Sequence, residues 1–227
     1  MTTILITGAN RGLGLGMAKH AKALGFDVIG TARDPGSAQE LSGIASRVIP
    51  LDTSDADSIA SLSSALGDQP IDILVNNAGI FPHACDDINH LDLNELERVI
   101  RVNTFGPILT TRALIPNLER STRKLNVSIT SNLGSITDAT QGAMGFLGYR
   151  TSKAALNMAN AVIAHQLKDK GITSVVIHPG WVQTDMGGPH APLKPDDATA
   201  SIIKTINGLS ASDNGRFVDY KGDEMKW

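Results

Sequence analysis

Apolar residues fall along this chain in short unbroken runs: "ILIT" at 4–7, "DVIG" at 27–30, "RVIP" at 47–50, "IDILVNN" at 71–77, "LNVSIT" at 125–130 and "TSVVIHPG" at 173–180. A strand with one wet face alternates apolar and polar residues, whereas a strand covered on both faces reads as a continuous run. Between these runs, residues 12–24, 55–66, 93–118 and 150–170 carry helical patterning. The alternation predicts right-handed crossovers and a mostly parallel sheet with helices on both faces, so the fold class is α/β. Two segments depart from the rhythm. Residues 185–200, "DMGGPHAPLKPDDATA", are rich in Gly and Pro and predict a mobile substrate loop before the helical run "ATASIIKTINGL". The tail "GRFVDYKGDEMKW" holds a short strand candidate at 216–220.

At 227 residues the chain fits one domain, 1–227, better than two. A net charge of −3 with 41% apolar residues supplies no basic field for nucleic acid or an anionic membrane, so neither is expected as a partner. The single cysteine, Cys85, excludes an intrachain disulfide framework, and the opening "MTTILITGAN" has no secretion signal; a cytoplasmic protein is the expectation.

The first run leads straight into "GANRGLG", giving TG-x-x-x-G-x-G through Gly8, Asn10, Arg11, Gly12, Leu13 and Gly14, followed by a helix. Glycines permit a tight turn and close backbone approach, and the helix N-terminus offers unpaired N–H groups to a pyrophosphate, so the turn suits a dinucleotide. The end of the second run, "VIGTARD", places Arg33 where an NAD site usually carries an acid. A guanidinium can grip a 2′-phosphate through two hydrogen bonds, with Arg11 as a second cation, which favours NADP(H); Asp34 is positioned to oppose it.

These motifs, with "NNAG" at 76–79, "VNTFGP" at 102–107, "ITSNLGS" at 129–135, "YRTSK" at 149–153 and "HPGWVQTDM" at 178–186, occur in an order that resembles the short-chain dehydrogenase/reductase family. The sequence is similar in particular to its sniffer and C-factor-like carbonyl reductases. The resemblance implies a Rossmann-type doubly wound sheet of seven parallel strands in the order 3-2-1-4-5-6-7. It further implies cofactor contacts from Asp52, Thr53, Asn77, Ala78, Gly79, Pro179, Gly180, Val182 and Thr184. Asp52 has the competing role of capping the helix that starts near Asp55.

Tyr149 and Lys153, four residues apart, share one face of a helix. A phenol has a reference pKa of about 10, so acting near neutral pH calls for a neighbouring positive charge. The resemblance implies that Tyr149 is the proton donor in carbonyl reduction and that Lys153 binds the nicotinamide ribose and lowers the Tyr149 pKa. It also implies that Ser131 binds the carbonyl oxygen and that Asn103 anchors a relay water. Ser135 competes with Ser131. The expected substrate is a small apolar carbonyl or alcohol, walled by Phe81, the loop 138–148 with Phe146 and Leu147, and the 185–200 segment with Met186 and Leu193. The cluster "HACDDINH" is read as a polar loop and not a metal site, so no metal is expected. The apolar residues of helix 150–170, Met158 and Val162 among them, suggest a homodimer or homotetramer. The alternatives to NADPH-dependent carbonyl reduction are an NAD-dependent alcohol dehydrogenase and a non-catalytic, cofactor-binding regulator.

Overall fold

A computed structural model describes residues 1–142 and 145–227. Seven strands, β1 (Thr3–Ile6), β2 (Asp27–Ala32), β3 (Arg47–Pro50), β4 (Ile73–Asn76), β5 (Leu125–Ile129), β6 (Thr173–His178) and β7 (Phe217–Asp219), form one sheet in the order β3-β2-β1-β4-β5-β6-β7. Every neighbouring pair is parallel. The helices are α1 (Gly12–Ala23), α2 (Gln39–Ser42), α3 (Ala56–Leu66), α4 (Leu93–Ile100), α5 (Gly106–Glu119), α6 (Ile136–Ala139), α7 (Leu147–Gln166) and α8 (Pro195–Gly208). The expected fold class and strand order are those observed.

The continuous apolar runs have the physical origin expected of them. In β1, Ile4 and Ile6 join one core with Met17 and Ala18 of α1 and Ile202 and Ile206 of α8, while Leu5 between them joins a second core with Leu62 of α3 and Leu114 of α5. Neither face of the strand is wet, so neither position can be polar. Among the described residues no helix is long and apolar enough to cross a membrane.

Several expected boundaries move. The single helix read over 93–118 is two helices joined by a π turn at Arg101–Phe105, in which the Gly106 N–H bonds the Arg101 carbonyl five residues back. Pro107, next in line, has no N–H to lose from the shift. The 185–200 segment is shorter than expected, because α8 begins at Pro195, whose fixed φ and missing N–H suit a first helical position. What remains is internally bonded: Val182 bridges Leu193, Gln183 Nε2 donates to the Ala191 carbonyl at 2.9 Å and Trp181 Nε1 donates to the Gly187 carbonyl at 2.7 Å. Within the loop 138–148, residues 143 and 144 lie outside the described residues; its two ends are helical, in α6 and α7.

The second core is interrupted by polar residues that hydrogen-bond one another. Asn126 of β5 accepts from Asn76 Nδ2 (3.0 Å) and Thr111 Oγ1 (3.1 Å) and donates to Ser174 Oγ (2.8 Å), which donates in turn to Asn160 Oδ1 (2.7 Å). The chain of bonds links β4, β5, β6 and α7 beneath the site. Asn126→Leu keeps the branched shape but removes one hydrogen bond from each of Asn76 Nδ2, Thr111 Oγ1 and Ser174 Oγ, and a buried hydrogen bond contributes about 1 kcal/mol. The variant should lose at least about 1 kcal/mol of unfolding free energy, read as a lower urea midpoint with an unchanged m-value; a midpoint within error of the parent would contradict the assigned role.

Candidate active site

Parallel strands all end on the same edge of the sheet, and a crevice opens there where β1 sends its crossover one way and β4 the other. At the end of β1, Gly8 has φ +63°, and its N–H donates to Thr31 Oγ1 at 3.2 Å. A Cβ on Gly14 would collide with the Gly8 carbonyl and lie 2.7 Å from Asn77 Nδ2, so only a bare backbone lets α1 approach this closely. The α1 first-turn N–H groups therefore face the crevice with Asn10, Arg11, Gly12 and Leu13 around them. Thr7 ties the turn to β4: its Oγ1 accepts from the N–H groups of Asn77 (2.9 Å) and Ala78 (3.0 Å). Asn77 Nδ2 returns bonds to the Thr7 and Gly8 carbonyls. Thr7 and Thr31 thus shape the turn, although neither stood out in the sequence as a site residue. This cradle fits a dinucleotide pyrophosphate.

Arg33 lies exposed beyond the end of β2. Asp34 does not neutralise it, since its Oδ1 accepts from the Gly36 N–H at 2.9 Å and caps a short 3-10 turn. Arg11 is engaged differently from the expectation, pairing with Asp185 at 2.8 Å across the mouth of the crevice, with both side chains mostly exposed. Asp52 does not cap α3; Asp55 does. The Asp52 carboxylate accepts from both the N–H and the hydroxyl of Ser54, which with Arg33 nearby holds its pKa below the usual carboxylate value. Thr53 follows it, buried. On the other side of the crevice, Pro179, Gly180, Val182 and Thr184 leave the end of β6, with Thr184 accepting from the Gly187 N–H at 3.2 Å.

The helix α7 brings Tyr149 and Lys153 to this edge, 7% and 5% exposed. Lys153 Nζ lies 5.7 Å from the Tyr149 ring centroid and donates to the Ile129 carbonyl, the last residue of β5, at 2.8 Å. Ser131, two residues farther, lies near the phenol and favours its ionisation, while its hydroxyl donates to Asn132 Oδ1 at 3.3 Å and accepts from the Leu133 N–H at 3.1 Å. Ser135 caps α6 by accepting from the Asp138 N–H at 3.1 Å. Of the two serines it is Ser131 that neighbours Tyr149.

The expected depression of the phenol pKa is not present in the free chain. Burial dominates and pushes Tyr149 up to about 12, with Ser131 opposing. Burial also lowers Lys153 to about 8. The ammonium donates its hydrogen bond to the Ile129 carbonyl.

Asn103 sits fully buried in the π turn. Its Oδ1 accepts from the Ile80 N–H, and its Nδ2 donates to the Ile80 carbonyl and to Ser152 Oγ, at 2.9, 2.9 and 3.1 Å. Both side-chain donors are used, so the side chain acts as a clamp that joins Ile80 to α7. The clamp sets Gly79 beside Lys153, where a Cβ would stand 3.9 Å from Nζ.

Phe81 lies edge-on to Tyr149 at 4.5 Å and against Phe146 at 5.1 Å. Leu193 packs over Gly180, while Leu147 and Met186 stand exposed. In "HACDDINH" the histidines pair locally, His83 with Asp86 at 3.1 Å and His90 with Asp87 at 3.8 Å, and Cys85 is buried. Among the described residues no three His, Cys, Asp or Glu side chains converge as metal ligands would.

Residues 2–193 match the short chain dehydrogenase family. The chain is 40% identical to the C-signal protein of Myxococcus xanthus over 158 residues, covering 70% of this chain and 93% of that protein. Its structure superposes on the carbonyl reductase Sniffer of D. melanogaster with a TM-score of 0.91 at 35% identity, covering all of both chains. The NADPH-bound carbonyl reductase from chicken fatty liver gives 0.91 at 34%, covering 100% of this chain and 99% of that one. A parallel seven-stranded sheet with a glycine turn, a Tyr-Lys pair on one helix and a family match over most of its length identify the chain as an oxidoreductase of the short chain dehydrogenase family.

Proposed function

We propose that the protein is an NADPH-dependent carbonyl reductase, converting an aldehyde or ketone reversibly to an alcohol with Tyr149 as proton donor. The observation that carries this reading is the placement of Tyr149, Ser131 and Lys153 together at the strand-end edge that also holds the glycine turn. The residues fit the dinucleotide: Gly8 to Gly14 would cradle its pyrophosphate and Arg33, with Arg11 released from Asp185, its 2′-phosphate. Asp52 to Thr53 would meet the adenine, Asn77 to Gly79 the adenosine side, Lys153 the nicotinamide ribose, and Pro179 to Thr184 the nicotinamide end. The reduced nicotinamide held by these residues would supply the hydride that the carbonyl carbon receives.

This chain's own groups then manage the oxygen. Ser131 donates to the carbonyl oxygen and stabilises charge as it develops. Tyr149, kept protonated at neutral pH by burial, gives its proton to that oxygen. Lys153 remains mostly protonated at pH 7 with a pKa of about 8, so a positive charge stands ready one helical turn away to stabilise the phenolate left behind. Phe81 and Phe146 give the substrate side an apolar wall. The exposed Met158 and Val162 of α7 suit pairing with a second copy of the chain.

A second reading, a coenzyme-binding signalling protein, draws on the similarity to C-signal. It requires binding but no donor. Tyr149→Phe separates the two: turnover of carbonyls should fall by roughly 10²–10⁴-fold with NADPH affinity retained, while tight NADPH binding without turnover of any carbonyl in the parent would favour the signalling reading. Arg33→Asp should move the preference from NADPH toward NADH, measured as the ratio of kcat/KM values; an unchanged ratio removes Arg33 from the phosphate site.

The buried lysine also leaves a thermodynamic signature. Its folded pKa of about 8 lies below its unfolded value of 10.5, so between these the unfolded chain holds a proton that the folded chain has released, and stability rises with pH. Above pH 10 Tyr149 acts in the opposite sense, because its folded value of about 12 exceeds the unfolded 10. Between pH 8 and 10 the melting temperature of the parent should therefore rise relative to that of Lys153→Met; parallel curves would contradict the burial of a titrating lysine.

A further inference from the structure

The helix that carries Tyr149 lacks a cap of its own. Its cap residue, Phe146, makes no side-chain hydrogen bond and sits at φ 60° and ψ 33°, a left-handed conformation uncommon for a bulky residue, and no acid occupies the first turn. The missing partners come from a distant segment. Gly148 N–H donates to the Cys85 carbonyl at 2.9 Å and Leu147 N–H to the Asp86 carbonyl at 3.4 Å.

At the first of these bonds the two segments are in direct van der Waals contact. A Cβ on Gly148 would collide with Cys85 Sγ and stand 3.1 Å from its Cβ and 3.2 Å from its carbonyl oxygen. Cys85 is wholly buried, and burial raises its thiol pKa, so it serves as a neutral filler of fixed size. The segment that bears it is anchored independently at three further points. Ile80 is held by Asn103, the Ala84 carbonyl accepts from the Asp92 N–H at 3.1 Å, and Phe81 packs on the Tyr149 ring.

We propose that Cys85 and Gly148 form a size-matched contact that sets the position of Tyr149 relative to Ser131, making both of them positioning residues for the proton transfer. The inference rests on the reading of Tyr149 as the donor. Neither residue is among those assigned above to the proton transfer or to the coenzyme. The contact fixes the register between the 80–92 segment and the start of α7, and displacing it moves the phenol, the residue next in sequence to Gly148.

The test uses the full chain and four variants: Gly148→Ala, Cys85→Ala, the double variant and Tyr149→Phe. Each is assayed for NADPH-dependent reduction of 4-nitrobenzaldehyde, for NADPH affinity by fluorescence and for fold by circular dichroism. A displacement near 1 Å at a reacting group can cost on the order of 10²-fold in rate. Gly148→Ala should lose kcat on that scale with NADPH affinity and fold retained, and its solvent deuterium isotope effect should rise as proton transfer becomes limiting. Cys85→Ala alone, which leaves a gap where the sulfur stood, should also lose kcat, by roughly tenfold, with NADPH affinity retained. The double variant should recover at least about tenfold of the lost rate, because the colliding sulfur is gone and the remaining approaches need only tenths of an ångström. A Gly148→Ala protein with parental kcat, or a loss that Cys85→Ala does not recover, overturns the proposal. Tyr149→Phe tells apart the two levels of failure. If it retains parental turnover, the donor reading fails and the positioning contact with it; if it loses turnover while Gly148→Ala does not, only the contact is refuted.

Discussion

The hydrogen bond from Lys153 Nζ to the Ile129 carbonyl is the constraint on which the site depends. An ammonium this deeply buried needs an acceptor, and the Ile129 carbonyl supplies one where α7 is held against the end of β5. Once that is done, Tyr149 and Ser131 must meet, because one is a turn before Lys153 and the other is two residues after Ile129. Asn157 reinforces the same docking by accepting from Thr130 Oγ1 at 2.6 Å. The lysine therefore builds the site before it contributes charge to it. Its ammonium is bound to a backbone oxygen, and burial is the largest influence on the phenol beside it.

The rest of the fold brings two further walls to that docked pair. The π turn in front of α5 rotates Asn103 inward, where it clasps Ile80 by both N–H and carbonyl and reaches Ser152 on α7. The polar chain from Asn76 to Asn160 ties β4, β5 and β6 to α7 from below. Neither device adds a reacting group. Both fix distances, which is what a reaction limited by the alignment of an oxygen, a carbon and a phenol requires.

Much of this was legible in the sequence, for reasons that can be stated. Uninterrupted runs such as "ILIT" reported burial on two faces, and "GANRGLG" reported a turn that only glycine permits; both are local rules. The strand order and the Asn-Ser-Tyr-Lys set came through family resemblance, since no periodicity encodes which strands are neighbours. What stayed hidden depends on contacts between distant residues. A π turn looks like an ordinary helix in pattern, and Pro107 was its only trace. Thr7 and Thr31 looked like strand residues, and Cys85 resembled a stray ligand until Gly148 was seen against it. The pairing of Arg11 with Asp185 joins positions 174 residues apart, and the state of the Tyr149 phenol is set by enclosure, which a motif cannot express.

The account turns on a hydride reaching a carbonyl carbon while this chain supplies the proton. The most direct measurement is mass spectrometry of the alcohol formed from an aldehyde panel with NADPH deuterated at the transferring C4 position. The account expects one deuterium on the carbinol carbon for each NADPH consumed. NADPH bound tightly, with no label in any alcohol, would contradict it.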